Sequence, residues 1–425
     1  MNPCHVLLPA LLFAVSPLCH ADAWPSWRGD LLGSGVTQET DLPLEWGNDK
    51  NVKWRVELPE GGNSTPIILG DRVFVTQPVT AEKWRGLYCF DRETGKLLWK
   101  NGLVYEKQER THRSNLFCSA SPTTDGEMVV ASYGSAGLVA YDLEGNQLWH
   151  RDLGALDHTW GNSSSPLIYG GLVLHYHGPA KNAVLYGLDK KSGETVWQWK
   201  EPAWKPGERT DGFRGNSDEG VIGAFSTPIL IEGAKRDELV MSFPMEMKGF
   251  NPKTGEVLWT ASGLNPLVYT SPMYSDGVVV AMGGYYGNSV GVRVGGDGDV
   301  TASHRLWQEV RHNGGIGTGV IHEGHYYYHN SGGVVFCDNI QTGETVWKDR
   351  LPLSGKSWGS LLLAGDKIYT LSQAGDTIVL NATPEGMEVL AENTLGEQTN
   401  SSLAPSQGAF FIRTHEALWC IESGE

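Results

Sequence analysis

Two histidine groups are the first places to look for metal chemistry in this 425-residue chain. His175 and His177 flank Tyr176, and alternate residues of a strand share a face, so both imidazoles could reach one ion. His322, His325 and His329 form the second group. Neither brings a further ligand at a recognisable spacing, and structural zinc takes four, so both read as ordinary strand histidines. Asp297-Gly298-Asp299 is acidic like the start of a calcium loop, but the other oxygen ligands of such loops are missing. It reads as a turn. No Gly-rich phosphate loop, nucleophile elbow or paired-acid signature stands out. Polar and aromatic side chains suited to reversible binding gather instead in two long connections, 105–121 and 200–225, which exceed ordinary hairpin length. His112, Asn115, Arg209, Arg214 and Asp218 are the candidates there.

What must position these residues is a repeat. One unit reads STPIILGDRVFVTQ (64–77) and then GLYCFDRETGKLLW (86–99). Others begin near Ser121-Pro122, Ser165-Pro166, Ser226-Thr227-Pro228, Thr270-Ser271-Pro272, Gly317-Thr318-Gly319, Gly359-Ser360-Leu361 and Ser401-Ser402-Leu403. Each unit holds four short apolar runs separated by turn residues, the pattern of one propeller blade. Thr94-Gly95, Glu144-Gly145, Ser192-Gly193, Thr254-Gly255 and Thr342-Gly343 supply hairpin turns, and each is followed by a Trp: Trp99, Trp149, Trp197, Trp259 and Trp347. A large aromatic at one place on every outer strand can cover the seam to the next blade. Blade five keeps Trp307 without a clear turn, and blade seven is expected to use Val389-Leu390 at the seam.

The last unit ends after three strands, and its missing outer strand appears at the other end of the chain as NVKWRVELP (51–59), with Trp54 at the seam. The expected fold is therefore all-β: an eight-bladed β-propeller of four-stranded blades, its ring closed by an N-terminal strand. Closure removes exposed sheet edges. Cys89, Cys337 and Cys420 fall in the column held by Ala140, Gly187 and Gly249 elsewhere, a packing position for a small apolar residue. In a propeller the residues just before each inner strand converge on one mouth of the channel. These are Asn63, Ser119, Asn162 with Ser163, Phe225, Tyr269, Ile316, Trp358 and Asn400. Such a ring of amides, hydroxyls and aromatics could bind a sugar or a peptide; Ser and Thr there also suit turn hydrogen bonds.

The Asp-x-x-Thr-Gly-x-x-x-Trp hairpin, complete from Asp91 to Trp99 and nearly so from Asp189 to Trp197 and from Asn251 to Trp259, resembles the PQQ-like (quinoprotein-type) β-propeller repeat over residues 51–425. The opening WPSWRGDLLGSG (24–35) resembles the leaders of secreted bacterial proteins with this repeat. The resemblance implies one of two branches. Pyrroloquinoline-quinone (PQQ) dehydrogenases carry a Cys-Cys vicinal disulfide, a stacking Trp, Glu and Asn ligands to calcium, and a catalytic Asp. This chain has no Cys-Cys dipeptide, and Trp160 and Trp358 are its stacking candidates. The other branch is non-catalytic, with the outer-membrane assembly factor BamB as its example. The expectation is a non-catalytic propeller binding a protein partner or ligand through one face, as a cell-envelope scaffold without PQQ, calcium or another metal. The alternative is a PQQ-dependent dehydrogenase or a propeller enzyme acting on carbohydrate. His112, Asn115, Trp160, Asn162, Arg209, Arg214, Tyr269, Trp358 and Asn400 make up the candidate ligand site.

Bulk properties agree with this reading. Gly (54 residues), Trp (16) and Tyr (15) are abundant and only 19% of residues are charged, as many short strands and tight turns require. The net charge of −16 repels phosphate backbones, so no nucleic-acid partner is expected. Residues 6–18 form a short apolar run followed by Cys19-His20-Ala21, which suits signal-peptidase cleavage. Pro9 and Pro17 interrupt it, and a membrane span needs about 20 apolar residues. The expected division is a signal peptide at 1–21, an extension at 22–50 and the propeller at 51–425, in a periplasmic or secreted protein.

Overall fold

The computed structural model describes residues 23–203, 222–233, 235–284, 287–310 and 314–424. They form eight four-stranded blades around an axis. Blade one comprises Ile67–Leu69, Arg72–Val79, Trp84–Asp91 and Leu97–Val104, all antiparallel. Its two middle strands are buried along nearly their whole length, while the outer strand is largely exposed. Middle strands are sandwiched by neighbouring blades on both faces, which is why they read as continuous apolar runs such as Val73-Phe74-Val75.

Ring closure is as the sequence indicates. Blade eight takes Ala404–Ser406, Ala409–Arg413 and Ala417–Glu422 from the C-terminal end and Val52–Glu57 from the N-terminal end. Trp54 stands opposite Cys420 in that pairing. The same register puts Trp99 opposite Cys89, Trp149 opposite Ala140, Trp197 opposite Gly187, Trp259 opposite Gly249, Trp307 opposite Gly291 and Trp347 opposite Cys337. The column must stay small because the indole lies over it. A Cβ on Gly187 would sit 2.2 Å from Trp197 Nε1.

Six of the seven seam tryptophans hydrogen-bond to the next blade. Trp54 Nε1 donates to the Arg92 carbonyl at 2.8 Å, and an added Cβ on Gly95 would meet the Trp54 ring at 2.8 Å. Gly95 (φ +68°) thus has two reasons to be glycine, the left-handed turn and the approach of the indole. Trp99, Trp149, Trp197, Trp307 and Trp347 likewise donate to carbonyls of the following blade. Trp259 departs from the pattern and donates to Glu238 Oε2 at 2.7 Å within its own blade. There Asp297-Gly298-Asp299 is not a turn: Gly298–Asp299 is a short strand pairing in parallel with Val257–Ser262 and covering that blade's outer edge. The segment between the third and fourth strands of blade five also holds the helix Thr301–His304, and this replaces the missing turn.

Blade seven corrects another expectation. Ala391, not Val389-Leu390, faces the column residue Val379, because a bulge shifts the register there. Alanine cannot fill the seam, and Trp46 of the N-terminal extension does so instead. Its ring stacks at 6.5 Å on Tyr369 of blade seven and lies 5.4 Å from Phe410 of blade eight. Asn393 holds it in place, accepting from the Trp46 amide at 2.7 Å and donating to the Leu44 carbonyl at 3.1 Å.

The beginning of the extension crosses the axis. Trp24 bridges Ile68 of blade one, the Pro25 carbonyl accepts from Thr124 of blade two, Leu31 from Leu230 of blade four, and Gly35 from Leu363 of blade seven. Val36–Thr37 then pairs in parallel with Leu362–Ala364. Inner strands present free edges to the channel, and this strap satisfies several of them. Arg28, fully buried, donates to the carbonyls of Gly33, Ser34, Thr318, Gly319 and Leu361 and so joins the strap to blades six and seven. Burial lowers its pKa to about 9.

Candidate functional site

Every inner strand is preceded by one buried hydroxyl, and these eight hydroxyls are joined in a closed belt. The Thr65 amide donates to Ser121 Oγ, Ser121 to Ser165, Ser165 to Thr227 and Thr227 to Ser271. Ser271 then donates to Thr318, Thr318 to Ser360, Ser360 to Ser402, and Ser402 back to Thr65, with all eight distances between 2.8 and 3.1 Å. The same eight residues line an axial funnel of about 480 Å³, together with Trp27 of the strap. A hydroxyl has one donor and two acceptor positions. Each belt oxygen accepts one amide, and among the described residues no acceptor takes its own proton.

Above the belt the wall is aromatic and apolar, formed by Trp160, Phe225, Tyr269, Ile316 and Trp358. Phe225 and Tyr269 stack at 5.8 Å with their planes 13° apart, and His112 meets Trp160 edge-on at 4.6 Å. The connection 105–121 forms one side of the mouth. Asn63 and Asn400 dock it by donating together to the Ser114 carbonyl at 3.2 and 3.1 Å, and Gln373 holds Asn400 at 2.6 Å. Asn115 fixes the neighbouring turn by donating to the carbonyls of Trp160 and Asn162. Behind this connection Arg85 and Glu109 form a buried ion pair, with the Arg85 guanidinium 4.2 Å from the centre of the Phe117 ring.

The funnel's electrostatics oppose those of the whole chain. Its described lining includes Arg113, Lys356 and His112 but no Asp or Glu. Arg413 lies behind the belt, wholly buried, donating to Ser64 Oγ at 2.6 Å, Gln77 Oε1 at 2.7 Å and the Thr76 carbonyl. Burial lowers its pKa to about 10.

Of the sequence-derived candidates, His112, Asn115, Trp160, Tyr269, Trp358 and Asn400 line the funnel. Asn162 does not; its amide donates to Glu109 Oε1 at 3.1 Å, on the outer side of the connection. Arg209, Arg214 and Asp218 lie outside the described residues. Sequence reasoning passed over Trp27, Arg113, Lys356 and the belt. The recurring Ser or Thr before each inner strand was the available signal, but a local turn bond explains it equally well in one dimension. His175 and His177 are buried, and His177 Nε2 bonds the Gly154 carbonyl at 2.9 Å. His322 and His325 are cross-strand partners at one end of blade six, while buried His329 bonds Gly359 and Ser357 at the other. No group of three His, Cys, Asp or Glu residues suited to a metal occurs among the described residues. Cys89, Cys118, Cys337 and Cys420 are free and buried, and burial raises their pKa values to about 11 or 12.

The blade register, the seam tryptophans and the axial funnel define a quinoprotein-type β-propeller. The chain belongs to the family described as outer membrane protein assembly factor BamB, whose model matches in overlapping stretches at residues 36–159, 87–349 and 246–384. Its structure is similar to quinohemoprotein alcohol dehydrogenase from Comamonas testosteroni (TM-score 0.71, 11% identity, covering 96% of this chain and 82% of that one). It is also similar to BamB from Moraxella catarrhalis (TM-score 0.58, 16% identity, covering 87% and 98%) and to a europium-containing methanol dehydrogenase (TM-score 0.69, 9% identity, covering 94% and 91%). At these identities the likeness is one of fold. No curated protein matches the sequence.

Proposed function

We propose that this chain is an exported, non-catalytic binding propeller that receives a protein partner or ligand at its funnel, as a scaffold of the cell envelope, after removal of residues 1–21. The observation that carries the reading is the composition of the funnel: flat aromatic walls, amides already committed to holding the mouth in place, and a belt of hydroxyls. Among the described lining residues His112 Nδ1 meets Ser114 Oγ at 2.6 Å, but the same nitrogen accepts from the Ser114 amide at 3.3 Å in a local turn, and neither a described carboxylate orienting the imidazole nor an acid pair accompanies it. Apolar walls with a few convergent polar groups are what a binding cavity of this volume requires. Family membership supports an envelope partner, since the family is described by an outer-membrane assembly factor.

The dehydrogenase neighbours make PQQ with calcium the cofactor to weigh, and the residues do not fit it. Calcium takes six to eight oxygen ligands with carboxylates prominent, whereas the described funnel lining offers two cations and no carboxylate. The four described cysteines are single and buried in the blades, so no vicinal disulfide can form a stacking platform. Titration of the processed protein with calcium and PQQ, followed by absorbance and melting temperature, tests the reading. Absence of a saturable change is expected. Saturable binding that raises the melting temperature would overturn it and direct attention to alcohol and sugar oxidation.

A further inference from the structure

The belt region of the funnel combines two features that together favour an anionic acceptor over a neutral one. The belt hydroxyls are buried, each accepts one amide from the neighbouring blade, and each retains an O–H with no acceptor among the described residues. Buried donors without acceptors are costly, and a ring of donors around one axis suits a group that only accepts. In addition, two guanidiniums are buried beside the belt. Arg28 lies against the carbonyl of the belt residue Thr318, and Arg413 holds Ser64, the neighbour of the belt residue Thr65. Neither forms an ion pair among the described residues, and every hydrogen bond that the two make there goes to a neutral oxygen, although Asp30 acts on Arg28 through space. Buried charge ordinarily has a counter-charge. Arg113 and Lys356 at the mouth also have no carboxylate within ion-pairing distance among the described residues, in a chain whose net charge is −16.

We propose that the funnel is a receptor for a carboxylate carried on a flat apolar body, with the carboxylate seated at the hydroxyl belt and the body between the aromatic walls. The proposal deepens the binding role given above and rests on it. A carboxylate accepts about four hydrogen bonds and donates none, so it can engage about half of the belt's eight unused donors. Trp27 closes the cup beneath it, and the stacked Phe225 and Tyr269 offer a flat face to the body. Arg113 and Lys356 draw anions toward the mouth, and this part of the attraction weakens with salt. The same chemistry is presented by a free arylalkanoic acid and by a polypeptide ending in an aromatic residue.

Calorimetry on the full processed chain separates the possibilities. The probes are phenylacetate against phenylacetamide, and Gly-Gly-Phe with a free C-terminus against its C-terminal amide. At least one acid is expected to bind roughly tenfold or more tightly than its amide, with the preference falling at high salt and in R113Q/K356Q, whose exposed side chains contribute nothing to the core. Binding of phenylacetate identifies a small-molecule occupant; binding of the peptide acid alone identifies a chain terminus. Equal affinity for acid and amide overturns the carboxylate assignment and leaves a binding funnel. No binding of either acid up to about 10 mM, a limit set by the weakest useful affinities, also overturns it. Saturable uptake of PQQ with calcium overturns the non-catalytic reading itself.

Discussion

The amide of Ser402 donates to Thr65 Oγ1 at 3.1 Å across 337 residues of chain. It is the last of eight identical links, so the belt is continuous only if the first and last blades meet. Thr65→Val keeps the side-chain shape but removes the acceptor, leaving a buried amide unpaired. A loss of about 1–3 kcal/mol is expected, measured by urea denaturation. Deleting residues 51–59 removes the other closure and with it the seam residue Trp54, and near-ultraviolet circular dichroism should then show loss of the fixed aromatic packing.

Trp46 fills the seam that Ala391 leaves open. Trp46→Ala should destabilise by about 3–5 kcal/mol, the range for removing a buried aromatic from a core. Leu98→Ala, on an exposed outer strand, should change stability by less than about 0.5 kcal/mol. Comparable losses in the two variants would mean that Trp46 is not a seam residue.

The column opposite the seam tryptophans gives an asymmetric pair of substitutions. Cys89→Ala is expected to cost less than about 1.5 kcal/mol, as a near volume-conserving change. Gly187→Ala places a Cβ against the Trp197 indole and should cost about 1–3 kcal/mol as overpacking. Thermal melts of the two variants side by side decide it.

Acidification should weaken the fold through its buried histidines. Burial lowers the pKa of His175 to about 3 and those of His158 and His177 to about 4, against 6.5 for the unfolded chain. Between pH 6.5 and about 4 the unfolded state binds protons that the native state refuses, so stability falls as pH falls. The limiting slope is about 1.4 kcal/mol per pH unit for each histidine. His175→Gln should flatten the melting-temperature profile in that window while leaving the profile above pH 7 nearly unchanged.

The repeat, the closing strand and the small column were legible in one dimension because each recurs with fixed spacing, and recurrence separates signal from composition. Trp46, Arg28 and Trp27 recur nowhere, and their partners lie hundreds of residues away on several blades. Sequence reasoning could place them only in an extension. The belt was half visible: a Ser or Thr before each inner strand is plain, but the acceptor role of each hydroxyl toward the neighbouring blade exists only once the ring has closed. Spacing pointed to Val389-Leu390 rather than Ala391 in blade seven because a one-residue bulge changes which side chain faces the seam, and spacing alone does not reveal a bulge. Of the site, the aromatic wall followed from position. The cations at its mouth did not, since exposed Lys and Arg look alike wherever they occur.

The pairing of Val52–Glu57 with Ala417–Glu422 also sets a timetable. The first blade strand to be made waits for the last, so the ring cannot finish before Ala417–Glu422 has been synthesised. Until then both terminal blades expose open edges at which another chain could pair. Because the closing pair joins the two ends of a long all-β chain, folding should be slow, and the yield of folded protein should respond to chaperones more sharply than its final stability does.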